Sequence, residues 1–200
     1  MKRHFHLDHL EDLRLSGLSD ETIRAAGVYT VPRDEIGKKL GGQAHGVVSA
    51  MAFQYSGCDG FERYKVFREE GKTGPKYLQK PGTQNHLYLL PGLDLAGDSP
   101  LIISEGEKKI LALHQAGFQA VGLPGVWGWC AGGKGYSKPG EHQPILDLDL
   151  LNWRRLVKIV YDSDGHDNSL VRLAAFRLSR ELSRRGATVN ILFIPCEVGQ

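Results

Sequence analysis

The sequence contains no C-x-x-C pair, and its three cysteines, Cys58, Cys130 and Cys196, are scattered. An odd, dispersed set excludes a disulfide framework and a zinc ribbon and fits a reducing cytoplasm. No run of about 18 apolar residues is present, so no membrane-spanning helix is expected. The opening segment MKRHFHLDHLEDLR lacks the apolar stretch of a secretory signal. Neither sign of charge is in excess: the formal net charge is +2 over 200 residues, so any nucleic-acid partner must be argued from local clusters. Internal repeats and low-complexity segments are also absent. What remains is 41% hydrophobic and 24% charged, a soluble globular composition long enough for one large domain or two small ones.

Residues 7–26 read as two short helices. Leu10 and Leu13 give the first an apolar stripe, and Ser19 is placed to cap the second, with Leu18 and Ile23 as a hydrophobic staple. Segments 47–55 and 61–67 read as a β-hairpin turning at Gly57–Gly60. Residues 86–90 suggest a short strand, and the Gly, Asp and Pro content of 92–100 suggests a linker. Beyond it the pattern changes to strand 101–104, helix 107–116, strand 119–123, strand 156–161, helix 168–185 and strand 188–194. That order predicts an α/β fold with a parallel sheet flanked by helices. Two domains are expected: a small mixed α/β module over 1–98 and the parallel-sheet domain over 99–200.

The residues that carry chemistry sit at strand ends. Glu105 directly follows LIIS, and Asp162 and Asp164 follow VKIVY. Functional groups of open α/β sheets gather beyond the carboxyl ends of the strands. Asp162 and Asp164 are two apart, so a locally extended backbone puts both side chains on one side. Crowded carboxylates repel unless a cation neutralises them, and hard oxygen ligands suit magnesium or manganese. The plain structural alternative is that these acids form turns or cap helices, with Asp162 or Asp167 capping the helix near Asn168 and Glu105 capping the helix near Glu107.

ISEGEKKILAL, VGLPG and IVYDSDGHDN together resemble the Toprim domain shared by bacterial primases, topoisomerases and some nucleases. Glu105–Gly106 matches that family's first motif, and Asp162-x-Asp164 its second. Upstream, Lys76-Tyr77-Leu78 resembles the Lys-Tyr-Leu preceding Toprim in DnaG-type primases, and Arg68 stands at a basic position of that family. With GVWGW, the whole looks closest to Toprim proteins of phages, plasmids and integrative mobile elements, over roughly residues 60–195. The resemblance implies a Toprim-type sheet and a primase-like, magnesium-dependent nucleotidyl transferase. It implies Glu105, Asp162 and Asp164 as catalytic and metal-binding residues. Arg68, Lys76 and Lys108 become nucleic-acid or nucleotide contacts. Single-stranded DNA, nucleoside triphosphates and a helicase domain or partner are implied as associates. A Toprim nuclease and a non-catalytic, helicase-associated binding module are the alternatives. Two positions depart from the family pattern. Lys109 stands where primases often carry an acid, and Glu197 is the only acid where a third acidic motif is usual, as in a chain truncated at its C-terminus.

Other signals are weaker. Gly128-x-x-x-x-Gly133-Lys134 approaches a P-loop but continues with Gly135 instead of Ser or Thr. An EF-hand starting at Asp162 fails at Asp167 and Leu173. His4, His6 and His9 read as a polar end rather than a metal site. Arg63, Lys65, Arg68, Lys72, Lys76 and Lys80 interleave with Tyr64, Phe67 and Tyr77, a pattern for phosphate contact and base stacking or for a solvated hairpin. Arg177, Arg180 and Arg184 read as a solvated stripe. Trp127 and Trp129 read as loop packing or a lid.

Overall fold

The computed structural model describes residues 5–131, 143–162 and 168–193. The chain forms two compact units, Met1–Thr83 and Gln84–Gln200. No helix among the described residues is long and apolar enough to cross a membrane.

In the first unit, α1 (Leu7–Arg14) and α2 (Asp20–Ala25) precede a four-stranded antiparallel sheet. Ser19 caps α2 by accepting the Thr22 amide hydrogen bond at 3.1 Å. The strands are β1 (Tyr29–Thr30), β2 (Val47–Gln54), β3 (Glu62–Arg68) and β4 (Tyr77–Gln79), in that spatial order. The helix α3 (Ile36–Leu40) lies between β1 and β2 in sequence. Alternation along β2 and β3 turns Ala50, Ala52, Tyr64 and Val66 to one core with Val31, Ile36 and Leu40. On the opposite phase of β2, Met51 and Phe53 are also fully buried.

The N-terminal histidines are not a uniformly polar end. His9 is 0% exposed, with its ring nitrogens on Thr30 Oγ1 at 2.9 Å and Ser49 Oγ at 3.0 Å. Its ring stacks on Phe67, with centroids 4.5 Å apart. Two hydroxyls satisfy both nitrogens, which lets a neutral imidazole serve as core. His6 instead caps α1, taking the Asp8 amide on Nδ1. His4 lies outside the described residues.

The second unit is built on a parallel sheet of β5 (Leu101–Glu105), β6 (Ala120–Leu123), β7 (Leu156–Tyr161) and β8 (Thr188–Phe193). Its spatial order is β6-β5-β7-β8. Helices α4 (Glu107–Gln115) and α5 (Ser169–Arg184) flank it, α4 against β5 and β6 and α5 against β7 and β8. This is the parallel sheet with flanking helices that the strand–helix order predicted. The core joins Leu101, Ile103, Val157 and Ile159 of the central strands to Ala174, Ala175, Leu178 and Leu182 of α5. Each fully buried Leu or Ile in it contributes roughly 1.5–3 kcal/mol. At Gly122 a side chain has no room: a Cβ there would lie 2.9 Å from both Ile110 Cγ1 and Tyr88 Cβ.

Two local expectations are corrected. Residues 86–90 form a single antiparallel bridge, Tyr88 with Gly122, rather than a strand. The reason is local, because the Leu87 amide donates to the Asp147 carboxylate at 2.8 Å and leaves ladder pairing to Tyr88. The 92–100 segment is not a free linker. Arg155, 5% exposed, donates to Asp94 and Leu95 carbonyls, and Asn152 Nδ2 to those of Ala96 and Gly97. Side chains thus satisfy backbone groups that have no sheet to join.

Candidate active site at the sheet rim

The strand order decides where chemistry is possible. From β5 the chain crosses to β6 on one side, and from β7 it crosses to β8 on the other. The connections diverge between β5 and β7, which makes that gap the topological switch point, where crevices open beyond the carboxyl ends of parallel strands. Glu105 is the last residue of β5, and Asp162 is the first after β7. Both therefore stand at the mouth of this gap.

Local geometry turns each residue outward. Gly106, with φ 85°, holds a backbone conformation that costs an L-residue about 1–2 kcal/mol, and it makes the sharp change from β5 into α4. Its amide donates to the Leu123 carbonyl at 3.0 Å, tying the turn to the end of β6. On the other strand, Tyr161 is buried and its hydroxyl donates to the Val126 carbonyl at 3.3 Å. Burial, with the nearby Glu105 charge, pushes the Tyr161 phenol well above its ordinary range, so it stays protonated as a donor. Asp162 thus follows a fixed anchor.

The two carboxylates converge on one cation. Lys109 Nζ, on the first turns of α4, lies 2.5 Å from Asp162 Oδ1 and 3.8 Å from Glu105 Oε1. All three side chains remain partly open to solvent, at 24% for Glu105, 46% for Asp162 and 37% for Lys109. Helix capping does not explain either acid. The cap position of α4 is Gly106, which has no side chain to offer, and α5 is capped by Asn168, whose Oδ1 accepts from Leu170 and Val171 amides. Carboxylate oxygens brought together in this way are ligands of the kind a hard divalent cation takes. Asp164, expected as a third ligand, lies outside the described residues, as do Gly133, Lys134, Asp167 and Glu197.

The remaining expected contacts divide by unit. Lys108 is half-buried on α4. Arg68 and Lys76 belong to the first unit. Arg68 donates to the His45 carbonyl at 3.1 Å and the Pro75 carbonyl at 3.2 Å, so its guanidinium closes a loop of its own unit. Lys76 is exposed immediately before β4, as are Lys72 and Lys80 nearby. Arg63 is buried over Tyr77, and Lys65 pairs with Asp12. The basic cluster read from sequence is therefore partly structural, with three lysines facing solvent.

Sequence reasoning missed Glu107, which is 1% exposed in the first turn of α4, where a negative charge is favoured by the helix N-terminus. Its only sequence signal is the Glu-Gly-Glu spacing. Trp127 and Trp129 are buried in the main core, which makes them loop packing, and Arg177 lies over the Trp127 ring at 5.6 Å instead of being merely solvated. Burial raises the Cys130 thiol to about 12, so it is no nucleophile at neutral pH.

Residues 95–198, the segment bearing this rim, match the family described as a domain of unknown function, DUF3854. The chain belongs to the DUF3854 family. No curated protein matches it. Two solved structures resemble this DUF3854 chain. One is a DnaG catalytic core, with a TM-score of 0.58 and 21% identity over 98% of this chain and 67% of that one. Another comprises the zinc-binding and RNA polymerase domains of the Aquifex aeolicus primase, with a TM-score of 0.61 and 15% identity. That match covers 95% of this chain and 50% of the other. The DUF3854 chain thus has a primase-core-like fold, consistent with a Toprim-type sheet.

Proposed function

We propose that this protein is a primase-like nucleotidyl transferase, dependent on magnesium or manganese and acting on single-stranded DNA in the replication of a mobile element. One observation carries the reading: Glu105 and Asp162, from neighbouring strands, converge on a single cation at the switch point of a primase-like fold. Glu105, Asp162 and Asp164 would hold the metal. When bound, it supplies positive charge against a triphosphate and its leaving pyrophosphate. Glu105, half-buried at the strand end, orients or deprotonates the attacking 3′-hydroxyl. Lys108 offers positive charge to the nucleotide phosphates, and exposed Lys76, with Arg68 behind it, offers the same to template phosphates. On this reading a helicase domain or partner would join it for the full replication task.

Lys109 supports a second reading. Its ammonium already sits against both acids, as it would in a non-catalytic binding module that keeps the fold. The test is synthesis of labelled oligonucleotides from nucleoside triphosphates on single-stranded DNA, with Mg2+ or Mn2+, by wild type and D162N. Metal-dependent product that D162N loses supports the transferase. Cleavage of DNA or RNA instead of synthesis reassigns the same carboxylates to a nuclease. A protein that binds DNA but neither makes nor cleaves oligonucleotides is the binding module.

A further inference from the structure

We propose that Lys109 is a built-in counter-cation of the rim: it fills one positive position between Glu105 and Asp162, so that a single divalent ion binds there, and only in competition with the ammonium. This rests on reading the rim as a divalent-cation site. Three features of the structure carry it.

Lys109 is four residues after Glu105, the spacing of an ordinary helix-type ion pair, yet that contact is the longer one, at 3.8 Å. The closer partner, at 2.5 Å, is Asp162, which comes from another strand. The ammonium is thus drawn to the point where the acids converge. Secondly, Lys109 keeps 37% of its side chain exposed. A flexible four-carbon stem at a solvent-open position can swing away when a stronger cation arrives. Thirdly, β5 and β7 are paired neighbours in the sheet, and the Gly106 amide and the Tyr161 hydroxyl are further held by the Leu123 and Val126 carbonyls, so the strand ends that carry the two acids stay close together. Two carboxylates on neighbouring strand ends are stabilised by a positive charge between them, and Lys109 provides it. A divalent ion arriving at Asp162 must displace the ammonium and work against its charge. The displaced ammonium stays tethered at the rim by its own stem.

The prediction concerns metal affinity, independently of turnover. Mn2+ binding is followed by electron paramagnetic resonance at low ionic strength on wild type, K109Q, K109M, K109R and D162N. Removing one unit charge about 4–8 Å from a divalent ion corresponds, even in a water-like medium, to about thirtyfold to fivefold tighter binding. K109Q and K109M are expected to bind Mn2+ tighter by that factor, with K109R, which keeps the charge, as weak as wild type. Tighter binding that is shared by K109R would show loss of packing rather than of charge and would overturn the role. Binding abolished by D162N but unchanged in K109Q and K109M would overturn the role of Lys109 while leaving the metal site in place. Absence of Mn2+ binding in every variant, or normal binding in D162N, would overturn the metal site and the inference together. K109M preserves the length of the stem, so it gives the comparison should K109Q fold poorly.

Discussion

Replacing Glu105 with Gln separates chemistry from scaffold. The substitution keeps volume and one carbonyl oxygen but removes the charge. In the structure that charge is paired with Lys109 at 3.8 Å between partly exposed side chains. Pairs of this kind contribute about 0.3–0.5 kcal/mol. For a unit of this size that corresponds to a loss of roughly 1–3 °C in Tm. A helix cap would be worth more, about 1 kcal/mol, but Gly106 occupies the cap position of α4. Activity is expected to respond on a different scale. Loss of a general base costs about 10²–10⁴-fold in rate. The assay pairs thermal melting with metal-dependent oligonucleotide synthesis, and a gel-shift measurement on single-stranded DNA controls for binding. The expected outcome is a nearly unchanged Tm, unchanged DNA binding and a rate lower by two to four orders of magnitude. A variant that melts much earlier yet keeps its turnover would refute the catalytic placing of Glu105.

Two further predictions concern the first unit. Burial holds His9 neutral and lowers its pKa from 6.5 to about 4. Between those values the unfolded chain binds more protons than the folded one, so stability is full above pH 6.5 and falls as pH drops towards 4. Urea unfolding at pH 7 and pH 4.5 should show a decline of about 2–3 kcal/mol in wild type, and a flatter dependence in His9→Gln if that variant folds; equal slopes would contradict the assignment. The basic surface gives the second. Lys76→Ala should leave Tm unchanged and reduce the slope of log K against log salt for single-stranded DNA by roughly 0.7. Arg68→Ala should lower Tm, because the His45 and Pro75 carbonyls lose their donor. An unchanged salt slope in Lys76→Ala would make this surface merely solvated.

The sequence by itself determined the elements of the second unit. Short apolar runs and helical apolar faces, with glycines at helix ends, marked β5, α4, β6, β7, α5 and β8 almost to the residue, because burial of an apolar segment is a local pattern. It also placed Glu105 and Asp162 at strand ends, since a strand stops where its apolar run stops. The order β6-β5-β7-β8 was decided by tertiary packing, and that order puts the two acids at one switch point. Polar residues were the least legible. Nothing in the pattern distinguishes His9, buried between Thr30 and Ser49, from a histidine in a solvated tail. Likewise, Arg68 and Lys76 look alike in sequence, yet one closes a loop and the other faces water. Partners distant along the chain satisfy these groups, and a hydrogen bond across such a separation leaves no periodic trace. Lys109 is the sharpest instance: the sequence shows a cation in the turn after an acid, and the fold brings Asp162 to it from another strand.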